Sequence, residues 1–195
     1  KLGANCFPLN VELYGQPAIL ARDIDPLNLS GPLPRNAISG SFSWQGAPCS
    51  ILVRGGRTVR SMSCHCPTPE SVLYKTRDGA VRMARVSSAA ALGGVVWAVG
   101  GLGLLDLYNP AAEGFTGVFS DVLRKTNHTV LGYKGGMLYG VYCKNMTAQQ
   151  VNAFVRDKLK LEYAVMLDGG HVAAIRAACS KINTNQRQYY AVRFL

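Results

Sequence analysis

Acid is scarce in this sequence. Eleven Asp and Glu stand against twenty-one Lys and Arg, and charged residues of both signs make up only 16% of the chain. With 48% hydrophobic residues beside it, so low a charged fraction excludes a disordered chain. Histidine is scarcer still, with three in 195 residues. No zinc-finger, helix-turn-helix or RNA-binding aromatic signature is present. No repeat, low-complexity tract or domain boundary interrupts the chain, so residues 1–195 read as one domain, long enough to bury a substantial core. No positively charged and apolar signal segment stands at the start. The chain begins at Lys1 without methionine, so an initiator residue or a longer leader is expected upstream.

The longest uncharged stretch, 89–105, is broken by Gly93, Gly94, Gly100, Gly101 and Gly103. It reads as a buried strand with glycine turns, and no transmembrane segment is expected. The six cysteines admit 15 disulfide pairings, and reduced buried thiols fit equally well. Cys64-His65-Cys66 lacks the two-residue spacing of tetrahedral ligands, so no metal is expected there.

The surplus of base gives a net charge of +10, which favours anionic partners: nucleic acid, anionic glycopolymers or phosphate-bearing substrates. The arginines are scattered, however. Arg54, Arg57 and Arg60 fall in one hairpin-like stretch, and Arg77, Arg82 and Arg85 in another. That distribution suits a solvated face better than a nucleic-acid footprint.

Turn signals and alternation predict strands over much of the chain. Ile51–Arg54 and Thr58–Ser61 flank Gly55-Gly56, and Val72–Lys75 and Ala80–Arg85 flank Arg77-Asp78-Gly79. Residues 128–133 and 137–143 are rich in aromatic and β-branched residues and are joined by Lys134-Gly135-Gly136. Gln188–Leu195 reads as a terminal strand. Thr147-Ala-Gln-Gln150 fits a capping box, with Val151, Phe154, Val155 and Leu159 at helical spacing behind it. The alanine-rich segment 171–181 suggests a second helix. Residues 22–36, with Pro26, Pro32 and Pro34, read as a long surface loop. The expected fold is therefore α+β: one domain, a mixed β-sheet with hairpins and few helices.

The chemistry concentrates in Tyr163-Ala-Val-Met-Leu-Asp168-Gly169-Gly170-His171. An apolar run of strand length ends in a carboxylate, two glycines and a histidine. Glycines there let the backbone turn sharply or approach a ligand closely. Asp168 would then sit at a strand's C-terminal end, where binding crevices form.

The order hairpin, Thr-initiated helix, strand, Asp-Gly-Gly resembles the phosphodiester glycosidase family. That is the fold of the uncovering enzyme, which removes N-acetylglucosamine from a sugar phosphodiester. His128-Thr129-Val130-Leu131-Gly132 resembles the family's Arg-Thr-Ala-Ile-Gly, and Leu167-Asp168-Gly169-Gly170-His171-Val172 its Leu-Asp-Gly-Gly-Gly-Ser. Gly3-Ala-Asn5-Cys-Phe7 is similar to an early Asn-Gly-Gly-Phe-Phe stretch, and Val96 to Leu105, with Gly101, to an apolar strand followed by glycines. Residues 127–172 carry the specific match; the segment 15–90 does not align. Histidines replace the family's arginine at 128 and its third glycine at 171, and Val172 replaces its serine.

The resemblance implies a hydrolase that cleaves between a sugar's anomeric carbon and a phosphodiester oxygen, without a cofactor. Asp168, His171 and His128 would be catalytic. Asn5, Thr129, Gly101, Gly169 and Gly170 would bind an anionic small-molecule or glycan substrate. Two alternatives stand beside this: a binding module on the same fold that has lost catalysis, and a basic nucleic-acid-binding protein.

Overall fold

The computed structural model describes residues 6–195; Asn5 and the rest of the Gly3–Phe7 motif before Cys6 lie outside the described residues. Among the described residues, seventeen strands and one α-helix, with short 3-10 turns between them, make a mainly β fold rather than the expected α+β. Two layers of antiparallel sheet account for nearly all of it. The larger, ten-stranded sheet holds the strand Tyr163–Gly169 at its centre, between Thr126–Lys134 and Val95–Gly103. The smaller sheet has five strands, with Gln188–Phe194 paired between Ala37–Ser39 and Ile24–Gly31.

Alternation along the central strands explains the layering. Val165 and Leu167 pack with Leu131, Ile38, Tyr190, Val192 and Phe194 in the core between the sheets. Their sequence neighbours Ala164 and Met166 turn to the opposite face. There they meet Val151 and Val155 of α1, Ala148–Asp157. A central strand buried on both faces must be apolar throughout, which is why Ala164–Leu167 shows no polar alternation. The helix begins where its capping box predicts: Gln150 N donates to Thr147 Oγ1 (3.1 Å), and Thr147 N donates to Gln150 Oε1 (2.9 Å).

Several expectations change. The alanine-rich segment 171–181 is not a helix. It forms a 3-10 turn, Gly170–Val172, followed by the short strands Ile175–Arg176 and Lys181–Ile182. Ala173 and Ala174 are fully buried, so these small side chains serve close packing rather than helix propensity. The proline-rich loop expected over 22–36 is largely the strand Ile24–Gly31. Pro26 is tolerated because this strand is the edge of the smaller sheet and needs no donor on its outer side. The hairpins shift by a few residues, to Leu52–Arg54 with Arg57–Arg60 and Glu70–Thr76 with Val81–Val86.

The 89–105 stretch divides into a 3-10 turn, Ala89–Leu92, and the strand Val95–Gly103. No helix of the described residues is long and apolar enough to cross a membrane.

Candidate functional site

Strand register brings the candidate residues together. His128 pairs with Gly169 across a bulge that separates it from Val130. A Cβ on residue 169 would stand 2.6 Å from His128 Nδ1, so glycine there lets the imidazole lie against the strand. Gly170 has φ +73°, a left-handed conformation that favours glycine, and a Cβ there would collide with the Arg124 guanidinium. The Asp-Gly-Gly sequence is thus explained locally: each glycine makes room for one cationic or titratable neighbour of Asp168.

His128 is 1% exposed. Its Nε2 lies 3.1 Å from the carbonyl oxygen of Arg124, which makes Nε2 the protonated nitrogen. Nδ1 is then an acceptor, and it has no hydrogen-bond partner among the described residues. Burial lowers the histidine's pKa, opposed by the Arg124 carbonyl, so the neutral ring predominates at pH 7. Arg124 donates through Nη1 to the Asp121 carboxylate at 2.8 Å.

Asp168 is partly buried. Its backbone N–H donates to Gly40 O (3.2 Å), and its Oδ1 accepts from Gly169 N (2.9 Å). Burial pushes its pKa up to about 6, against the Gly169 hydrogen bond and the nearby charges of His171 and Arg124. Such a carboxyl changes protonation close to neutral pH, a property that suits acid–base chemistry.

Two cavities meet at this carboxyl. One, of about 190 Å³, is lined by Asp121, Arg124, His128, Asp168, Gly169 and His171. The other, also about 190 Å³, is lined by Ser41, Ser43, Asp168, His171, Gln188 and Tyr189 among others. The first carries cationic and imidazole groups. The second carries hydroxyls, amides and tyrosine rings, with the Arg187 guanidinium and the shared His171 among them. The buried hydroxyl of Ser41 has no hydrogen-bond partner among the described residues.

Of the residues singled out by sequence, His128, Asp168, Gly169 and His171 therefore share one cavity. Gly170 is buried directly behind it, under Arg124. Thr129 is buried and lines neither cavity. Its Oγ1 donates to Ser39 O (3.0 Å), and Ser39 Oγ accepts from Ala174 N (2.9 Å), so Thr129 ties the two sheets together beneath the site. Gly101 also lines neither cavity. A Cβ there would stand 2.6 Å from Met166 O, which makes it a close-packing glycine between strands.

Sequence reasoning missed Arg124 and the Gly40–Ser43 wall. Arg124 stands four residues before His128, a nearness that could have been read. Ala37–Ser39 followed by Gly40 repeats the pattern of a buried strand ending in glycine, seen also at 163–169. Two other buried carboxylates, Glu70 and Glu113, line neither cavity. Both are held by several donors: Glu70 by Ser50 Oγ and Ile51 N, each at 2.6 Å, and Glu113 by Ser71, Gly103 and Arg85.

No family model matches this chain, and no curated protein sequence does. Solved structures do. The chain superimposes on the zebrafish N-acetylglucosamine-1-phosphodiester alpha-N-acetylglucosaminidase catalytic domain, auto-inhibited by pro-peptide, with a TM-score of 0.70 and 16% identity over 96% of this chain and 81% of that one. A hypothetical protein from Synechocystis is similar with a TM-score of 0.63 and 11% identity, over 95% of this chain and 60% of that one. The fold is therefore shared with a glycosidase catalytic domain.

Proposed function

We propose that this chain is a hydrolase that cleaves the bond between a sugar's anomeric carbon and a phosphodiester oxygen. The observation that carries the reading is the position of Asp168, a carboxyl of raised pKa, at the junction of two cavities, one beside Arg124 and the other rich in hydroxyls, amides and tyrosine rings. The substrate spans that junction. Its phosphodiester occupies the cavity of Arg124, His128 and His171, and its sugar the cavity of Ser41, Ser43, Gln188 and Tyr189. The shared fold with a glycosidase domain supports the assignment but does not extend to the substrate.

Each group has a task suited to its chemistry. A phosphodiester is already a good leaving group, so the demand falls on stabilising the oxocarbenium-like centre and activating water. The ionised carboxylate of Asp168 meets either need. The Arg124 guanidinium neutralises the phosphate, taking over the charge that an arginine at position 128 would supply. For that it exchanges Asp121 for the substrate's oxygens. Neutral, buried His128 positions Arg124, its Nε2 donating to the Arg124 carbonyl (3.1 Å). Exposed His171 stands at the entrance to both cavities.

A binding module without turnover is the second reading, favoured by the neutral imidazole at 128 where the resembling family has arginine. One experiment separates the two. Purified protein is given a fluorogenic sugar phosphodiester, and release of the fluorophore is followed. Turnover that Asp168→Asn abolishes supports the hydrolase. Saturable binding of a sugar phosphate with no turnover supports the module.

A further inference from the structure

Cys49 and Cys64 are separated by 15 positions in sequence, yet their sulfurs lie 3.7 Å apart. Each is partly exposed, and neither is bonded to another cysteine. Cys49 adjoins the wall of the sugar-side cavity. It follows the small hairpin of Ser43–Trp44 and Ala47–Pro48, and its N–H donates to Phe42 O (2.9 Å), between the cavity residues Ser41 and Ser43. Cys64 belongs to the connection between Arg57–Arg60 and Glu70–Thr76. That connection is itself held, Ser63 N donating to Ser87 O (3.1 Å) and Thr68 N to His65 O (2.7 Å). His65 is engaged elsewhere: Nδ1 lies 3.0 Å from Glu113 O, and the ring packs on Phe115 and Phe119. The pair is therefore not arranged with His65 as a metal cluster.

We propose that Cys49 and Cys64 form a reversible disulfide that braces the Ser41–Cys49 wall of the Asp168 site against the connection at 61–69. The sulfurs need approach by only roughly 1.7 Å to reach bonding distance, a movement within the reach of side-chain rotation. The oxidant is a small-molecule disulfide. The hydrogen bond from Cys64 lowers the pKa of Cys49, which makes Cys49 the attacking thiolate. Its sulfur bonds to one sulfur of the oxidant and expels the other as a thiolate. Cys64 then attacks the Cys49 sulfur of this mixed disulfide and expels the second thiolate. Two electrons pass from the protein thiols to the oxidant, and the two protons they release yield two free small-molecule thiols. Cys66, exposed two residues from Cys64, gives an incoming disulfide a second point of entry.

The test uses the full chain equilibrated across a series of oxidised to reduced glutathione ratios. Non-reducing peptide maps should recover a Cys49–Cys64 cross-link that dithiothreitol removes. On oxidation, amide exchange across residues 41–49 should slow by about tenfold or more, and Tm should rise by about 5 °C or more. Both changes should be lost in Cys64→Ser and retained in Cys66→Ser. The pairing is overturned if the cross-links found join only Cys6, Cys66 or Cys179, or if none forms. The brace is overturned if Cys49 and Cys64 cross-link while exchange across 41–49 is unchanged. These readouts do not depend on turnover, so they stand apart from the hydrolase assignment.

Discussion

Asp168 and Glu113 are both carboxylates withdrawn from water, and the protein treats them in opposite ways. Glu113 accepts from Ser71 N (2.8 Å), Ser71 Oγ (3.1 Å), Gly103 N (3.3 Å) and Arg85 (3.0 Å). Its oxygens are occupied by the fold, and Glu113 pins the Val95–Gly103 and Glu70–Thr76 strands to the Ala111–Glu113 turn. Among the described residues, Asp168 accepts from its neighbour Gly169 alone, and it opens onto two cavities. Burial raises the pKa of both. The difference lies in spare acceptor capacity. A saturated carboxylate holds structure, whereas an under-satisfied one beside empty space is available to a substrate.

Removing the charge at each site should therefore fail in different ways. Glu113→Gln leaves Arg85 facing a neutral amide and turns an N–H₂ toward existing donors. It should cost about 3 kcal/mol of stability, read from denaturant unfolding, because one partner of a buried pair is lost. A loss below about 0.5 kcal/mol would mean that Glu113 is not the structural acid described.

Asp168→Asn should leave the fold intact and lower turnover of a sugar phosphodiester by about 100-fold. In the unaltered protein, turnover carried by the ionised form should fall as pH drops through about 6, the value to which burial raises this carboxyl. A folded Asp168→Asn protein with normal turnover would remove Asp168 from the chemistry.

Arg124→Ala should raise KM for the phosphodiester by about tenfold, with Arg124→Lys recovering part of it, since a lysine keeps charge but loses the planar fork. An unchanged KM would place the phosphate elsewhere.

The smallest effect is on stability. The folded state holds the Asp168 proton more tightly than the unfolded chain, whose aspartate titrates near about 3.9. Stability from this group is therefore complete below about pH 4 and is lost as pH rises through about 6. Asp168→Asn escapes that loss. The full displacement corresponds to about 3 kcal/mol, and solvent screening at this partly exposed carboxyl reduces it, so the variant should be more stable than the parent by about 1–2 kcal/mol at pH 8 and indistinguishable from it at pH 3.5. Equal stability at both pH values would show a carboxyl with an ordinary pKa.

Local signals were legible where one segment decides its own conformation. The capping box at Thr147 marks the helix start because its hydrogen bonds span only three residues. The strands at 126–146 and 163–169 were readable because β-branched and apolar runs bounded by glycine have few other fates. The Asp168-Gly169-Gly170 motif identified the carboxyl at the centre of the candidate site. By contrast, the helix expected at 171–181 failed because alanine suits a helix and a tight sheet interface equally, and only the neighbours of Ala173 and Ala174 choose. The strand through Pro26 was hidden for a similar reason, since proline excludes a central strand but not an edge, and edges are defined by partners far away in sequence.

Sequence by itself determined the helix, the central strands, the placement of Asp168 behind a glycine pair and the surplus of positive charge. Those follow from neighbours within a few residues or from composition. Tertiary structure alone decided that Arg124 stands over Gly170, that Ser41 and Gln188 wall the second cavity, and that Cys49 meets Cys64. It also decided which of the buried acids is saturated and which is free, because hydrogen-bond donors arrive from strands that pairing, not sequence order, makes adjacent.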